Sequence, residues 1–371
     1  MPDCYPASLG FMKKVLVACL LLLFVFSTAF CTIVNAQHPE LSSGLFNSDQ
    51  VLNIRLSGNI KELINDRSND MQYHNITLSY KASDSSRVAF SIKIKTRGNF
   101  RRTQGNCSYP PLMLNFTKDH TPKNSIFHEQ NKIKLVTPCQ GDKYVLREYL
   151  VYKLYNLINP KSFMARLVKV EYDDTVKGKK SIPLFGMLLE DEDPMALRNN
   201  SVIVKNRIVR PERTRTDDFL KMAVFEYMIG NTDWSVQYLQ NVKLIAKDSI
   251  SIPSTVPYDF DHAGIVNAPY AKPAEQLLLN SIRTRRYRGY CQPAMTAFND
   301  TLALFNQLKS EIYSVYTTCP WLDEATVKST VKYLDEFYKT INNAKSIETE
   351  FGYPCDKEGT GNVVIKGLKE K

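Results

Sequence analysis

Residues 230–261 concentrate oxygen-bearing side chains in an order that suits phosphate chemistry. Asp233 comes first, Asn241 follows eight positions later, and Asp259 and Asp261 lie close together near the end. Magnesium prefers hard oxygen ligands, usually one or two carboxylates together with the phosphates of a nucleotide. Phosphoryl transfer depends on positioning and charge neutralisation, so a few acids and amides can suffice. A carboxylate, an amide and a second carboxylate in this order are typical of a phosphotransferase that holds a metal ion.

The segment before Asp233 reads as a helix that ends just ahead of the acid. Asp217 and Asp218 indicate a first turn, since acids are favourable there, and apolar residues then recur at helical spacing. Gly230 predicts the helix end, because glycine readily takes the left-handed conformation. Asp233 is therefore expected in a loop immediately after a buried helix.

The segment after Asp233 reads as a hairpin. Strands are expected at residues 241–245 and 255–258, so Asn241 and Asp259 would flank a short hairpin that connects to the loop. Helix, acid-bearing loop, hairpin and acid follow one another as in a kinase catalytic loop and its metal-binding loop. Each acid taken singly is more often a turn or cap residue, so the prediction depends on the ordered set.

At these residues the chain resembles the CotH family of atypical secreted kinases and, more distantly, HipA-type kinases. Upstream, the resemblance continues through Lys93–Asn99, the strands at 112–116 and 131–135, and the strand at 185–190. It covers roughly residues 85 to 265. By this resemblance Asp233 would be the catalytic base, with Asn241 and Asp259 as metal ligands. Asp261 would be a further ligand or an acceptor behind the metal site.

The sequence departs from ordinary protein kinases in two respects. The interval from Asp233 to Asn241 is eight residues, which is longer than the interval in ordinary protein kinases. The loops of CotH-like kinases resemble this longer interval better. No Gly-x-Gly-x-x-Gly loop occurs, and Gly98 and Gly105 instead flank a pair of arginines. The loop that would cover the phosphates therefore differs from that of a protein kinase.

Several side chains are candidates for nucleotide contacts. The strand lysines are Lys93, Lys95, Lys132 and Lys134. Lys134 is favoured, because apolar neighbours flank it on a strand that leads into the next helix, whereas most strand lysines face solvent. The other candidates are Arg97, Arg147 and Glu190. Glu190 would orient a lysine or touch the ribose, or would only begin an acidic turn that caps the next helix.

The order of elements favours an α+β chain with a two-lobed, protein-kinase-like fold. A β-rich N-terminal lobe with one major helix is expected at 46–205 and a helical C-terminal lobe at 206–352, followed by a loose basic tail at 353–371. Alternating strands between 51 and 140 predict an antiparallel sheet with one solvated face. Two further strands (165–172 and 182–189), a helix at 144–158, a long helix at 293–316 and a helix capped by Asp323 complete the outline. The nucleotide would lie between the lobes.

The N-terminus has the pattern of an export signal. Lys13 and Lys14 precede an apolar run at 15–26 that is short for a membrane span, and residues 34–36 suit cleavage before Gln37. Residues 12–36 are thus predicted to be a signal peptide and residues 1–11 to lie upstream of the true start. A lipoprotein is the alternative, through Cys31. The expected location is the periplasm, the cell surface or the medium, with no transmembrane span after cleavage.

Charge and cysteine content add weaker constraints. The net charge is +10, and arginines cluster at 97–102, 207–215 and 283–288, where they would contact phosphates or an acidic acceptor, or face solvent. Export and the lack of a recognised module argue against nucleic acid. Five of the eight cysteines follow residue 36, and their pairing cannot be chosen from spacing, although Cys291 with Cys319 or Cys355 is plausible.

Taken together, these features predict an exported phosphotransferase that uses ATP or another nucleoside triphosphate with Mg²⁺ or Mn²⁺. The acceptor would carry a hydroxyl group. Two alternatives stay open. One is a non-catalytic pseudokinase-type binding module on the same fold, and the other is a metal-dependent hydrolase that uses Asp259 and Asp261, although two-metal sites usually need more ligands.

Overall fold

The computed structural model describes residues 44–117, 119–205, 209–273 and 277–352. The predicted signal peptide and the basic tail at 353–371 lie outside the described residues, as does Arg207. Mixed α and β content is confirmed, with strands dominating the first half and helices the second. Within the described ranges, no helix has the length and apolar character needed to cross a membrane.

Eight strands of the first half form one sheet. They are β1 (Leu52–Gly58), β2 (His74–Lys81), β3 (Arg87–Thr96), β4 (Leu112–Asn115), β5 (Lys132–Val136), β6 (Ala165–Asp174), β7 (Lys179–Lys180) and β8 (Leu184–Leu189). Their order is β1-β2-β3-β4-β5-β8-β6-β7, and β1 also pairs with β6. That last pairing closes seven strands into a ring, with β7 added beside the end of β6.

The sheet predicted for residues 51–140 is part of a closed ring, and this closure was not predicted. Consecutive pairings are antiparallel, but β1 runs parallel to β6, with Leu52 opposite Val168 and Gly58 opposite Asp174. Closure removes the edges that an open sheet would expose. Local alternation in the sequence predicts each strand, yet it contains no signal for a pairing between such distant segments.

The helices form a second set of elements. They are α1 (Ile60–Asn65), α2 (Lys143–Ile158), α3 (Glu192–Arg198), α4 (Thr216–Ile229), α5 (Asn299–Gln307), α6 (Lys309–Thr317), α7 (Glu324–Ile341) and α8 (Ala344–Phe351). Three short strands, β9 (Val202–Ile203), β10 (Val242–Ala246) and β11 (Ser254–Pro257), make a small separate sheet in the order β11-β10-β9. The long helix predicted at 293–316 is interrupted at Leu308, which separates α5 from α6.

Two apolar cores follow from this arrangement. One fills the ring, with Leu56, Leu78 and Ile94 fully buried. The other joins α2, α4 and the helices after residue 295. Strands β6 and β8 contribute to both, since Val168 faces the ring interior while Leu167 faces α2. Alternation along a strand directs successive side chains to opposite faces, so these strands lie between the two cores.

One disulfide holds the loops at one end of the ring. Cys107 and Cys139 are bonded across a sequence separation of 32 residues. Cys291 is also in a disulfide, whose partner lies outside the described residues. Cys319 is free, so the predicted alternative of a Cys291–Cys319 bridge is wrong.

Gly230 ends α4 in the left-handed conformation, as predicted, with φ of 68°. A Cβ at this position would also overlap Tyr333 Oη, since Tyr333 packs directly against the turn. We expect Gly230→Ala to destabilise the fold by more than about 2 kcal/mol, because backbone strain and a steric clash add. Gly178→Ala is the matched control, as its φ is 61° but a Cβ would meet nothing within 4 Å. Similar urea midpoints for the two variants would contradict this explanation.

Candidate functional site

The loop that carries Asp233 is a tight, internally bonded turn. Its backbone folds back through an isolated bridge in which Ser235 and Gln240 exchange both hydrogen bonds, at 2.9 and 3.0 Å. The Asp233 backbone N–H donates to Asn231 Oδ1 at 3.0 Å. The side-chain amide of Gln240 donates to Asp233 Oδ1. The bridge accommodates the residues that lengthen the interval between Asp233 and Asn241.

The hairpin of β10 and β11 brings Asn241 beside Asp259. Val242 pairs with Pro257, and the Tyr258 N–H donates to the Asn241 carbonyl at 2.9 Å. Asn241 Nδ2 donates to Asp233, reaching the carbonyl at 2.6 Å and Oδ2 at 3.1 Å. Asn241 and Asp259 have φ of 53° and 65°. Left-handed backbone at non-glycine residues is strained and tends to persist where function requires it.

Asp261 belongs to a buried network around Arg101. Arg101 Nη1 lies 3.7 Å from Asp261 Oδ2 and 3.9 Å from Glu148 Oε2, while Nη2 donates to the Thr137 carbonyl at 2.5 Å. The Tyr270 hydroxyl donates to the same Asp261 oxygen at 3.1 Å. Asp261 Oδ2 is thus engaged with Tyr270 and Arg101, and the choice between its two expected roles stays a prediction.

Helix α2 supports this network through one face. Glu148 is 2% exposed, and Tyr152, one turn later, accepts a hydrogen bond from the Asp259 backbone N–H at 2.8 Å. The i and i+4 positions of a helix lie on the same side, so both residues meet the segment 259–261. Sequence reasoning missed Glu148. The available signal was an acid within a helix whose other residues are apolar on nearly every side.

The acids of the site share a crowded environment. Asp259 keeps an exposed surface, yet protein surrounds it closely, and desolvation followed by the nearby charge of Asp261 raises its pKa. Desolvation also raises the pKa of Asp233, with Asp259 adding to the shift and His262 opposing it. Burial raises the pKa of Glu148 well above its ordinary value. Like charges held together in this way favour binding of a cation.

Two lysines, Lys134 and Lys243, lie near the Tyr258 ring. Lys134 Nζ is 5.6 Å from the Tyr258 ring centroid, and Lys243 Nζ is 5.5 Å from it. Lys243 pairs with Glu192 at 2.5 Å, whereas Lys134 and Arg97 have no ion-pair partner among the described residues. Desolvation, then the charge of Arg97, lowers the pKa of Lys134. Two cations that form no ion pair to any described residue, with Asp191 and Glu192 as the acids that act on Lys134, would suit an anion that also carries a metal ion.

The other strand lysines do not share this position. Lys93 and Lys132 are exposed, and Lys95 lies over the Tyr73 ring at 4.9 Å. All four candidate lysines belong to the described residues, and of these four only Lys134 neighbours Tyr258 and Arg97.

Arg147 and Glu190 make structural contacts, and their predicted nucleotide contacts stay predictions. Arg147 donates to the Val266 carbonyl at 3.2 Å and to Thr326 Oγ1 at 2.8 Å, which ties α2 to the start of α7. Glu190 accepts from the Met164 N–H at 2.9 Å and pairs with Arg198 at 2.9 Å. Buried guanidinium and carboxylate groups commonly form hydrogen bonds with such structural partners. The spacing of residues along the chain does not show which partner will be nearest in the fold.

Arginines of the third cluster, at 283–288, also have structural roles. Arg288 donates to the carbonyls of Thr232 and Trp234, at 2.6 Å for the latter, and so holds both neighbours of Asp233. Arg285 donates to the Met228 and Tyr333 carbonyls at 3.1 and 2.5 Å. His262 packs edge-on against Tyr270 rather than against Tyr258, with ring centroids 5.9 Å apart.

The side chains present fit a metal ion that arrives with a phosphate ligand. No group of three acidic, histidine or cysteine side chains in the described ranges could hold a metal alone. Asp259 offers a carboxylate, and the Asn241 amide oxygen accepts no hydrogen bond within the described residues. Magnesium is commonly bound through one or two protein oxygens plus substrate phosphates, so this donor set is sufficient in kind.

Glu226 is a buried acid beneath the Asp233 loop. It is 1% exposed, and neither carboxylate oxygen has a hydrogen-bond partner among the described residues. Burial raises its pKa well above the ordinary value, against the opposing influence of Asn231 and Arg288. A raised pKa in the folded state gives stability that is full below the unfolded pKa and is lost as pH rises through the folded pKa.

We therefore expect Glu226→Gln to remove this loss. Near neutral pH the variant should be more stable than the wild type by about 1 kcal/mol, and its stability should depend less on pH. Urea unfolding across the acid to neutral range measures both effects. Glu212→Gln, at an exposed position, is the control and should change neither. Parallel pH profiles for the wild type and Glu226→Gln would contradict the assignment.

Comparisons with known proteins add little. No protein-family model matches the chain, and no curated protein matches it. Among solved structures, the Helicobacter pylori proinflammatory kinase CtkA is similar to it at 12% identity and a TM-score of 0.39, over 70% of this chain and 96% of that chain. We draw nothing about this chain's fold or activity from a similarity of that extent.

Proposed function

We propose that the protein is a metal-dependent phosphotransferase that moves a phosphoryl group from a nucleoside triphosphate to an acceptor hydroxyl. The observation that supports this most is the meeting of Asp233, Asn241 and Asp259 around one hairpin end, with Arg97 and Lys134 close by. In this proposal the residues on either side of the site form the two lobes of a kinase-like fold, at 46–205 and 206–352. Membership of the CotH family and export of the chain stay predictions.

Each side chain has a distinct role in the proposed reaction. Asn241 and Asp259 would hold Mg²⁺ or Mn²⁺, and the metal ion would neutralise charge on the phosphates. Lys134 and Arg97 would bind the phosphate oxygens. Asp233 would accept the proton of the acceptor hydroxyl while the hydroxyl oxygen bonds to the γ-phosphorus. The bond between the γ-phosphorus and the leaving nucleoside diphosphate would break in the same step.

The supporting contacts would position these groups rather than react. Arg288 holds the backbone on both sides of Asp233, and Tyr152 holds the backbone of Asp259. Arg101 would balance the charges of Asp261 and Glu148 behind the metal site. Preorganised groups of this kind lower the reorganisation that the reaction requires.

Labelled ATP tests the proposal. Purified protein with Mn²⁺ should transfer label from the γ-phosphate to itself or to an added hydroxyl-bearing acceptor, and Asp259→Ala should not. Asp248→Ala is the matched control, since Asp248 lies in the turn at the other end of the same hairpin and is exposed. Absence of transfer by the wild type, or equal transfer by Asp259→Ala, would contradict the proposal. Release of phosphate without any labelled acceptor would favour the hydrolase alternative.

A further inference from the structure

A cavity lies outside the acid-bearing site, between α2 and α6. Its volume is about 920 Å³, within the range of about 300–1,000 Å³ that is usual for small-molecule sites. Leu146, Leu150, Leu167 and Val315 give it apolar walls, and Trp321 lies at its margin. We call this cavity the α2–α6 groove.

The α2–α6 groove exposes an aromatic ring and a hydroxyl group, although the Trp321 ring also packs against Phe185 and Lys169. Trp321 is 45% exposed. Tyr149 is 6% exposed and lines the groove, yet its hydroxyl forms no hydrogen bond with any described residue. A hydroxyl that borders a cavity in this way is available to hydrogen-bond with a ligand or with solvent.

A smaller cavity of about 290 Å³ continues the groove, since Asn53 and Lys169 line both. Its walls include Arg55, Lys81 and Arg87. Arg55 is neutralised by Glu171 at 3.0 Å. We call this part the basic end.

The basic end has an excess of positive charge. Lys81, Arg87 and Lys169 have no ion-pair partner in the described part of the chain, and Lys169 lies 4.2 Å from the Trp321 ring centroid. At the opposite side of the α2–α6 groove, Lys153 is already paired with Asp49 at 2.7 Å. The excess positive charge therefore lies at one end of a cavity whose other walls mix apolar side chains with a few polar ones, among them the carboxylate of Glu311 on α6.

We propose that the α2–α6 groove binds an amphiphilic small molecule, with its apolar body between α2 and α6 and its acidic head group at the basic end. Apolar area would supply most of the binding free energy, and charge would set the orientation and the selectivity for an acidic head group. This site is separate from the proposed phosphotransferase site and does not depend on it.

Two natural reporters make the proposal testable on the full chain. Cys319 lines the α2–α6 groove and is a free thiol, so its rate of reaction with a chromogenic thiol reagent reports access. Cys319→Ser gives the background from other cysteines. Only two tryptophans occur, and Trp234 is 3% exposed, so changes in fluorescence on ligand addition report mainly on Trp321.

The probes are laurate and dodecyltrimethylammonium, which share a chain length and differ in head-group charge. Below their micelle concentrations, laurate should protect Cys319 and bind about tenfold more tightly than the cation, because a tenfold difference corresponds to one modest charge interaction. The double variant Lys81→Gln, Arg87→Gln leaves Lys169 as the one unpaired cation of the basic end's described lining and should reduce that preference. Ser314→Trp, at an exposed position on the groove wall, should block both probes.

Four outcomes would overturn the proposal. Equal affinity of the wild type for the two head groups would remove the role of the basic end. Undiminished laurate binding by Ser314→Trp would place the ligand elsewhere. Protection of Cys319 that rises with protein concentration alone would indicate a second copy as the occupant. Complete unreactivity of Cys319 without ligand, at every protein concentration, would indicate a segment of the chain itself.

Discussion

Replacing Asp233 with Asn should lower the rate of phosphate transfer by about 10²–10⁴ while leaving nucleotide affinity nearly unchanged, because a general base contributes on that order. Asparagine keeps the shape of the side chain, its amide oxygen can still accept one of the two side-chain hydrogen bonds, and Asn241 also donates to the backbone carbonyl of residue 233, so the loop should be preserved. Single-turnover rates and nucleotide titrations measure the two quantities separately.

The pH dependence gives this variant a second readout. Burial and Asp259 raise the pKa of Asp233, so activity of the wild type should fall, as pH is lowered, at a higher pH than an ordinary aspartate would give. That limb should be absent from the residual activity of Asp233→Asn. Asp217→Asn, at an exposed position near the start of α4, serves as the control. Wild-type rates in the Asp233 variant would exclude this residue as the base.

Replacing Lys134 with Met should weaken nucleotide binding by about 10- to 100-fold, since hydrogen bonds to charged groups contribute about 1.5–3 kcal/mol. The ammonium group lies beside Tyr258 and Arg97 and has no ion pair among the described residues. Lys132→Met is a closely matched control, because Lys132 is on the same strand, two residues earlier, and is exposed. Calorimetric titration with a non-hydrolysable nucleotide and Mn²⁺ measures the difference.

The lowered pKa of Lys134 predicts the direction in which nucleotide affinity changes with pH. Desolvation and the charge of Arg97 favour the neutral amine, so the positive charge is lost at a lower pH than for an exposed lysine. Nucleotide affinity of the wild type should therefore fall as pH rises into the alkaline range, and this fall should be absent in Lys134→Met. Equal affinities of the Lys134 and Lys132 variants would show that neither lysine binds the phosphates.

Much of the acid-bearing segment could be predicted because its signals are local. Gly230 ends α4 in the conformation that only glycine adopts freely, and the two strands of the following hairpin are short buried runs joined by a polar turn. Pairing of those strands necessarily brings Asn241 near Asp259. The eight-residue interval after Asp233 also has a local cause, the bridge between Ser235 and Gln240.

The parts that could not be predicted depend on contacts between distant segments. Arg147 and Glu148 are adjacent in sequence, yet Arg147 bonds to Val266 and Thr326 whereas Glu148 faces Arg101. On a helix buried on nearly all sides, hydrophobic periodicity does not show which polar residue faces the site. Glu190 was ambiguous for a similar reason, and its partner Arg198 lies on the next helix.

Closure of the seven-stranded ring was missed for a related physical reason. Each strand has the expected alternation, and an open antiparallel sheet accounts for that pattern equally well. The parallel pairing of β1 with β6 joins segments that are far apart in the sequence. No turn connects these two strands directly, so their pairing is specified by the packed interior of the ring. Register in such a pair is set by which faces are buried.

Binding of Mn²⁺ followed by electron paramagnetic resonance tests the central claim most directly. Asn241 and Asp259 should hold the ion tightly only when a nucleoside triphosphate supplies the remaining oxygen ligands. Free Mn²⁺ should fall on addition of wild-type protein in the presence of an ATP analogue, and Asp259→Ala and Asn241→Ala should lose this effect. Wild-type protein that binds no more Mn²⁺ with the nucleotide than without it, or variants that bind it equally well, would contradict the claim.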